Sequence, residues 1–361
     1  MSFDKETIRD IDVKGKRVLV RVDYNLPLDE QGRITDDYRI KKSLPTLQYL
    51  LKNGASLILC SHLGRPNGKK DMNFSLKPAA ARLQKLIGQD VIFAPDCIGE
   101  ATTKLATELK PGEILLLENL RFYPEEESNN ADFAKQLASL AEVFVQDGFG
   151  VVHRSHASTD AITRYLPSVA GLLLENEVDT ITNVMENPAR PLMAIIGGAK
   201  ITDKLPILKR LIDVADIVAI GGAMANTFLL ADGVDIGKSK ADEEDVPVAK
   251  MIIERARAKS KKQPFTLYLP QDGVVATSLD KTAETRIVDW DDHVFATIES
   301  YPKQPSRRSA QVLKNEMILD IGPFSGAFIA GSMQLASTVI WNGTMGVTET
   351  SAIIGPVGPF A

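Results

Sequence analysis

Cysteine is scarce in this sequence. Only Cys60 and Cys97 occur among 361 residues, and neither stands in a C-x-x-C spacing. A disulfide scaffold and a thiolate metal site are thereby excluded, and two buried, reduced thiols are expected. Long apolar runs are missing as well: the longest uncharged apolar stretch, residues 217–231, falls short of the ~20 residues that a membrane-spanning helix needs. Nor is there an excess of positive charge, since the formal net charge is −5 and the sequence pI about 5.6. General nucleic-acid and membrane-surface binders use a broad basic field, so neither partner is expected and any positive site has to be local. The opening residues, MSFDKETIRDIDVKGK, alternate charges and hold no apolar signal core, which points to the cytoplasm. Fixed-period repeats and low-complexity tails are also absent.

What is there is an ordinary globular composition, 44% hydrophobic and 25% charged. The chain is longer than the ~250 to 300 residues at which single hydrophobic cores stop growing, so two domains are expected. In the first half, apolar runs at 17–22, 56–60, 91–93, 114–117 and 143–145 are continuous and not alternating, as strands buried on both faces of a parallel sheet should be. Helical patterns lie between them, at 40–52, with Ile40, Leu44, Leu47, Leu50 and Leu51 on one face, and at 78–87. The second half repeats the style with strands at 192–196, 217–220, 265–269, 317–319 and 338–341 and helices at 203–214 and 246–259. This alternation predicts an α/β protein of two Rossmann-like, parallel-sheet domains built from βα repeats. Between the halves runs LPSVAGLLLENEVD, where Ser168 is placed to cap a connecting helix that reaches about Met185. The boundaries expected are an N-terminal domain over 1–166, the connecting helix over 167–187 and a C-terminal domain over 188–361.

Two glycine motifs fail on spacing. Gly233-Val-Asp-Ile-Gly237-Lys238-Ser239 has Asp232 where a P-loop needs glycine, and Gly148-Phe-Gly150-Val-Val-His153 ends in His where a dinucleotide fingerprint needs its third glycine. The arginines and histidines are placed more tellingly. Arg21 lies in the first strand with Asp23-Tyr24-Asn25 just beyond it, and Arg39 opens the first long helix. His62 and Arg65 stand in SHLGRP after the second strand, Arg121 follows the fourth, and His153, Arg154 and His156 follow the fifth. Ligands of open parallel sheets sit beyond the carboxyl ends of the strands. Five arginines and three of the four histidines would then share one rim of a net-acidic protein, an anion site suited to carboxylate or phosphate. In the second half, Gly197-Gly198-Ala199-Lys200 follows a strand and Lys204 comes four residues later. On a helix such positions share a face, so both ammonium groups are expected to reach one ligand, with glycine backbone and a helix N-terminus adding donors for phosphate. Gly221-Gly222 repeats the pattern one unit on, where close helix–sheet packing explains it equally well. Finally, the stretch from Trp341-Asn342-Gly343 to Glu349 sets an acid where a ribose hydroxyl could be held.

Taken in order, RVDYNLPLDEQGRITDDYRI, SHLGRP, ENLRFYPEEE, HRSHAS, LPSVAGLLLENE, GGAKITDK, GGAMANTFL, DIGP and WNGTMGVTE resemble the signatures of the phosphoglycerate kinase family from Arg17 to about Glu349. The resemblance implies a hinge-closing glycolytic kinase, a monomer that moves a phosphoryl group between ATP and 3-phosphoglycerate to give ADP and 1,3-bisphosphoglycerate. It implies that Asp23, Tyr24, Asn25, Arg39, His62, Leu63, Gly64, Arg65, Arg121 and Arg154 contact the 3-phosphoglycerate. It further implies that Gly197, Lys200, Lys204, Gly221, Asn342 and Glu349 hold ATP or ADP with Mg2+, and that Arg39 and Lys200 steady the phosphoryl group in transit. No metal ligand is assigned.

The chemistry suits these residue types. The attacking carboxylate is already ionised at neutral pH, so no general base is needed; in-line positioning and neutralisation of the phosphoryl oxygens are. Thr344 and Thr348 depart from the family, which usually has Pro and Phe there. After Glu349 the sequence reads TSAIIGPVGPFA, without the Gly-Gly-Gly-Asp loop and terminal segment that the resemblance leads one to expect. On that ground the expectation is a feeble kinase that still binds 3-phosphoglycerate; full activity would mean that another carboxylate, Asp320 or Asp272 being the nearest candidates, had taken over the metal. The competing classes are a phospho-anion binding protein of the same fold and a nicotinamide-dependent oxidoreductase, the latter disfavoured by the failed glycine fingerprint.

Overall fold

The structure, a computed structural model, describes residues 3–280, 282–290, 308–309 and 311–347. The chain divides into two compact units, 1–182 and 183–361. In the first, six strands, β1 Arg17–Arg21, β2 Ser56–Cys60, β3 Val91–Phe93, β4 Ile114–Leu116, β5 Val143–Gln146 and β6 Ser168–Ala170, form one sheet in the order β3-β4-β2-β1-β5-β6. Every pairing is parallel. Helices α1 Tyr38–Lys52, α2 Lys77–Ile87, α3 Glu100–Glu108, α4 Pro124–Glu127 and α5 Ala131–Ala138 connect the strands.

Apart from the edge strand β3, where Ile92 is exposed, the continuous apolar runs have the burial expected of them, because alternate residues of a strand face opposite sides. Val18, Val20, Leu57, Leu59, Ile114, Leu116, Val143 and Val145 pack with Leu47 and Leu50 of α1 and Leu83 of α2 on one side. On the other, Leu19, Ile58, Cys60, Leu115 and Phe144 pack with Ala106 of α3 and Phe133 and Leu137 of α5. Cys60 and Cys97 are both free and buried there, and burial pushes the Cys60 thiol up to about 12.

The connecting helix departs from expectation. Ser168 is no helix cap: it opens β6, paired to Phe144, and the helix α6 runs over Leu172–Glu186. Its start is set by Asp147, whose carboxylate accepts from Leu173 N at 3.0 Å and Leu174 N at 3.4 Å. Gly171 makes this approach possible, since a Cβ there would lie 2.1 Å from Asp147 Oδ1. A cap that comes from a residue 26 positions earlier leaves no local signature to read.

The second unit holds β7 Leu192–Ile196, β8 Ile217–Ile220, β9 Thr266–Tyr268, β10 Asp272–Ala276, β11 Thr285–Asp289, β12 Arg308–Ser309, β13 Met317–Ile321 and β14 Thr338–Asn342, with helices α7 Leu205–Val214, α8 Gly222–Ala231, α9 Val246–Ser260 and α10 Pro323–Leu335. One sheet, β14-β7-β8-β9, is wholly parallel. The expected parallel run at 317–319 belongs elsewhere: β13 pairs antiparallel with β10, in a second sheet ordered β12-β11-β10-β13. Apolar run length cannot say which sheet a strand joins. Pairing decides it here, helped by the Arg286–Glu316 ion pair and by Gly273, where a Cβ would meet the Trp290 ring at 2.7 Å.

Candidate functional site

In the first unit, β4, β2, β1 and β5 are adjacent and parallel, so their carboxyl ends open on one edge of the sheet. Arg21, the last residue of β1, is 1% exposed. Its Nη2 lies 3.2 Å from His62 Nδ1, its Nε donates to Ser158 Oγ at 2.9 Å and its Nη1 donates to Val22 O. Ser158 Oγ in turn donates to Glu126 Oε1 at 2.6 Å, and Ser158 N to Glu126 Oε2 at 3.0 Å. The buried guanidinium thus reaches a buried carboxylate through one hydroxyl, which offsets much of the cost of removing it from water. Arg39, at the start of α1, donates to Asp23 Oδ2. Asn25 Oδ1 accepts from Gly64 N at 2.8 Å, and Gly64 O accepts from Arg121 Nη1 at 2.8 Å. Asn119 ties the SHLGRP loop down, accepting from Leu63 N at 3.2 Å and donating to Leu63 O at 2.8 Å.

His62 sits among cations. Burial, and then Arg21, Arg121, Arg154 and Arg39, push its pKa down to about 2, so the ring is neutral. His156 stands 3.8 Å from Glu126, and burial lowers its pKa as well. Arg154 Nε is buried with no hydrogen-bond partner among the described residues. A buried guanidinium donor left unpaired is costly, and in a site it marks where a ligand oxygen would bond.

Arg21, Arg39, Arg121, Arg154 and His62 are therefore brought together. Tyr24 and Leu63 are not part of the rim through their side chains. Tyr24 is fully buried, its hydroxyl 2.8 Å from Ser43 Oγ, and burial raises its pKa; Leu63 packs in the core. The alternation of side chains beyond β1 sends Tyr24 inward between Asp23 and Asn25. Gly64 has φ +60, and a Cβ there would strike the Phe74 ring at 2.3 Å. Arg65 and His153 are exposed and make no hydrogen bond or ion pair among the described residues. Ser158 and Glu126 carry no signal of their own in the sequence, although both stand inside the motifs HRSHAS and ENLRFYPEEE. Gly150 belongs to no working fingerprint, yet a Cβ there would lie 2.5 Å from Asp23 Oδ2: the glycine lets the turn after β5 close on Asp23.

In the second unit three adjacent parallel strands, β14, β7 and β8, end in glycines. A Cβ on Gly197 would fall 1.8 Å from Thr344 O, one on Gly222 2.7 Å from Gly198 N and one on Gly343 2.4 Å from Gly197 O. Three backbones cross here at distances only glycine permits. Several of the amides are consumed in holding the crossing: Gly197 N donates to Asn342 O at 2.9 Å, Gly221 N to Ile196 O, Gly222 N to Met345 O and Met224 N to Gly198 O, each at 2.8 Å. Gly221 and the start of α8 are thereby fastened to protein. The amides of Gly198, Ala199 and Lys200 have no such backbone partner among the described residues.

The two lysines do not share a helical face. Residues 202–204 form only a 3-10 turn ahead of α7, and Lys200 precedes it. Lys204 Nζ donates to Gly197 O and Asn342 Oδ1, with Asn342 O at 3.3 Å, and burial lowers its pKa. Lys200 Nζ pairs with Asp242 at 3.4 Å. Asp272 is already engaged, accepting from Phe324 N at 2.9 Å and Ser325 N at 2.8 Å at the start of α10. Asp320 accepts from Ile321 N at 2.8 Å, and burial raises its carboxyl to about 6. No group of three or more His, Cys, Asp or Glu able to hold a metal ion occurs among the described residues. Glu349 and Thr348 lie outside the described residues. The P-loop-like stretch is occupied by packing, with Gly237 pressed against Leu313 O and Glu316 O and Lys238 N bonded to Glu316 O.

Two Rossmann-like α/β units, one with an arginine-rich rim and one with a lysine-flanked glycine crossing, define a two-domain α/β phosphotransferase. The sequence profile of the family described as phosphoglycerate kinase matches residues 8–354. A phosphoglycerate kinase of Moorella thermoacetica is 46% identical over 348 residues, covering 96% of this chain and 82% of that protein. A cytosolic phosphoglycerate kinase of Triticum aestivum is 45% identical over 344 residues, covering 95% and 80%. Among solved structures, phosphoglycerate kinase from Coxiella burnetii aligns with TM-score 0.71 at 35% identity, covering 97% of this chain and 82% of that one. The enzyme from Pyrococcus horikoshii aligns with TM-score 0.75 at 28% identity, covering 96% and 83%. The chain belongs to the phosphoglycerate kinase family. No helix of the described residues is long and apolar enough to cross a membrane.

Proposed function

We propose that the chain moves a phosphoryl group reversibly between ATP and the carboxylate of 3-phosphoglycerate, binding the acceptor at the arginine rim of the first unit and the nucleotide at the glycine crossing of the second. The observation that carries the reading is Arg154, whose buried and unpartnered Nε stands in one cluster with Arg121, Arg39, Arg21 and a neutral His62. Such a cluster supplies bidentate donors for a phosphate and a carboxylate on one small molecule. Asp23 orients Arg39, and Asn25, with Oδ1 engaged by Gly64 N, keeps its amide hydrogens for a substrate oxygen.

On the nucleotide side, the amides of Gly198 to Lys200 and the two lysines are the donors for phosphate oxygens. The Lys200–Asp242 pair, with Lys200 exposed and Asp242 part-buried, is of the weak surface kind and releases Lys200 at little cost. Mg2+ arrives with the nucleotide as part of the substrate. Because the attacking carboxylate is ionised at neutral pH, the residues need only position it in line and neutralise charge on the moving group, the parts given to Arg39 and Lys200. The reading also requires the two ligands to meet, the hinge-closing motion expected above, with the domain limits 1–166, 167–187 and 188–361. It includes a monomer working in the cytoplasm, in line with the wheat relative named cytosolic. Nothing favours the feeble or purely anion-binding alternative.

The test is an ATP-dependent assay with 3-phosphoglycerate, coupled to removal of 1,3-bisphosphoglycerate, run beside calorimetric titration of each ligand. Transfer that needs both ligands supports the reading; 3-phosphoglycerate binding without transfer would restore the anion-binding alternative.

A further inference from the structure

Among the described residues, only one nitrogen of His62 is held by the protein. Arg21 Nη2 stands 3.2 Å from Nδ1, and a guanidinium has donors but no acceptor. Nδ1 must therefore accept, which leaves the ring proton of a neutral imidazole on Nε2. We propose that Arg21 is a positioning residue that fixes His62 in the neutral Nε2–H tautomer, so that the ring offers the oxyanion of 3-phosphoglycerate a hydrogen-bond donor and not a lone pair. This rests on the reading of the rim as the acceptor site.

Arg21 is itself unable to turn away. Its Nε donates to Ser158 Oγ and its Nη1 to Val22 O, and Ser158 is doubly bonded to Glu126, with all three side chains buried. The fork thus presents Nη2 to the histidine in one orientation. The charged groups acting on His62 from the neighbouring elements are Arg21, Arg121, Arg154 and Arg39, all cationic. A proton on Nδ1 would set one donor against another amid those charges. No described residue bonds Nε2, so that N–H is free for a ligand. In the opposite tautomer, Nε2 would turn a lone pair toward the anion and repel it.

Ring 15N NMR reads the tautomer directly, and with four histidines in the chain the His62 signals are identified by their loss in His62→Gln. The expected spectrum of the unliganded wild-type protein has Nδ1 in the unprotonated range and Nε2 in the protonated range, unchanged between about pH 5 and 8. An Nδ1–H ring, or an imidazolium at neutral pH, overturns the proposal without any variant having to fold. Arg21→Lys, still a donor without an acceptor, should keep the signature. Arg21→Glu, whose carboxylate has acceptors and no donor, should lose it, with at least a tenfold loss of 3-phosphoglycerate affinity. If the wild-type signature survives in Arg21→Glu, Arg21 is not its cause. If the tautomer behaves as stated but 3-phosphoglycerate leaves the His62 signals unmoved, the acceptor-site reading fails while the Arg21 assignment stands.

Discussion

Arg39 and Tyr24 flank the same loop and serve it in different ways. Arg39 is half exposed and tethered to Asp23, so it is ordered and still free to turn its remaining donors to a ligand. Arg39→Ala should raise the barrier to transfer by about 2 to 4 kcal/mol, the usual loss for one charge-assisted contact made chiefly in the transition state. Steady-state turnover, with ATP affinity measured separately by calorimetry, checks this: collapse of ATP binding with turnover preserved would refute the assignment. Tyr24→Phe should do the reverse. It removes a buried hydroxyl contact with Ser43, whose own hydroxyl still donates to Ile40 O at 2.8 Å, so stability should fall by about 1 kcal/mol in urea unfolding. The KM for 3-phosphoglycerate should not change; a large rise would put Tyr24 back in the site. One motif carries both residues, and only the inward turn of Tyr24 after β1 gives them different parts.

The start of α6 is an element whose stability should depend on pH. Burial raises the Asp147 carboxyl to about 6, against an unfolded value near ~3.9. The folded protein therefore holds this proton more tightly, so the stabilisation is fully present below ~3.9 and is lost as pH rises through about 6. Asp147→Asn keeps an oxygen for Leu173 N and removes the titration. The difference in unfolding free energy between the two proteins should change by about 2 to 3 kcal/mol from about pH 4 to pH 7.5, in favour of the variant at the higher pH. A constant difference would mean that folding leaves the Asp147 pKa unshifted. The glycines give a second contrast. Gly197→Ala drives a methyl to within 1.8 Å of Thr344 O and should part the turns after β7 and β14, abolishing nucleotide binding. Gly331→Ala, in α10 with nothing within 4 Å, should stabilise the protein by about 0.5 to 1 kcal/mol. Thermal unfolding with and without ADP distinguishes the two, and equal behaviour would deny the crossing its role.

For the molecule as a whole, the two units should bind their ligands separately. Lys204→Ala should weaken ADP and ATP while leaving 3-phosphoglycerate affinity nearly unchanged, and calorimetric titration of each ligand checks it; equal losses would mean one shared site. Much of this division was legible beforehand. The inner strands of both parallel sheets, β1, β2, β4, β5, β7 and β8, appear as continuous apolar runs because burial on two faces demands apolar residues at nearly every position, a requirement each segment meets by itself. The order of the motifs was sufficient for the family, and the placement of arginines at strand ends foretold the gathering of Arg21, Arg39, Arg121, Arg154 and His62, though not that Arg65 and His153 stay outside it. Contacts between distant segments were not legible. That Tyr24 turns into the core, that Ser158 and Glu126 anchor Arg21, that Asp147 rather than Ser168 begins α6, that β13 pairs antiparallel with β10, and that Lys200 and Lys204 part company were decided by tertiary structure. In each case the partner lies far along the chain or the conformation is set by packing, and a residue's own neighbours in sequence carry no trace of either.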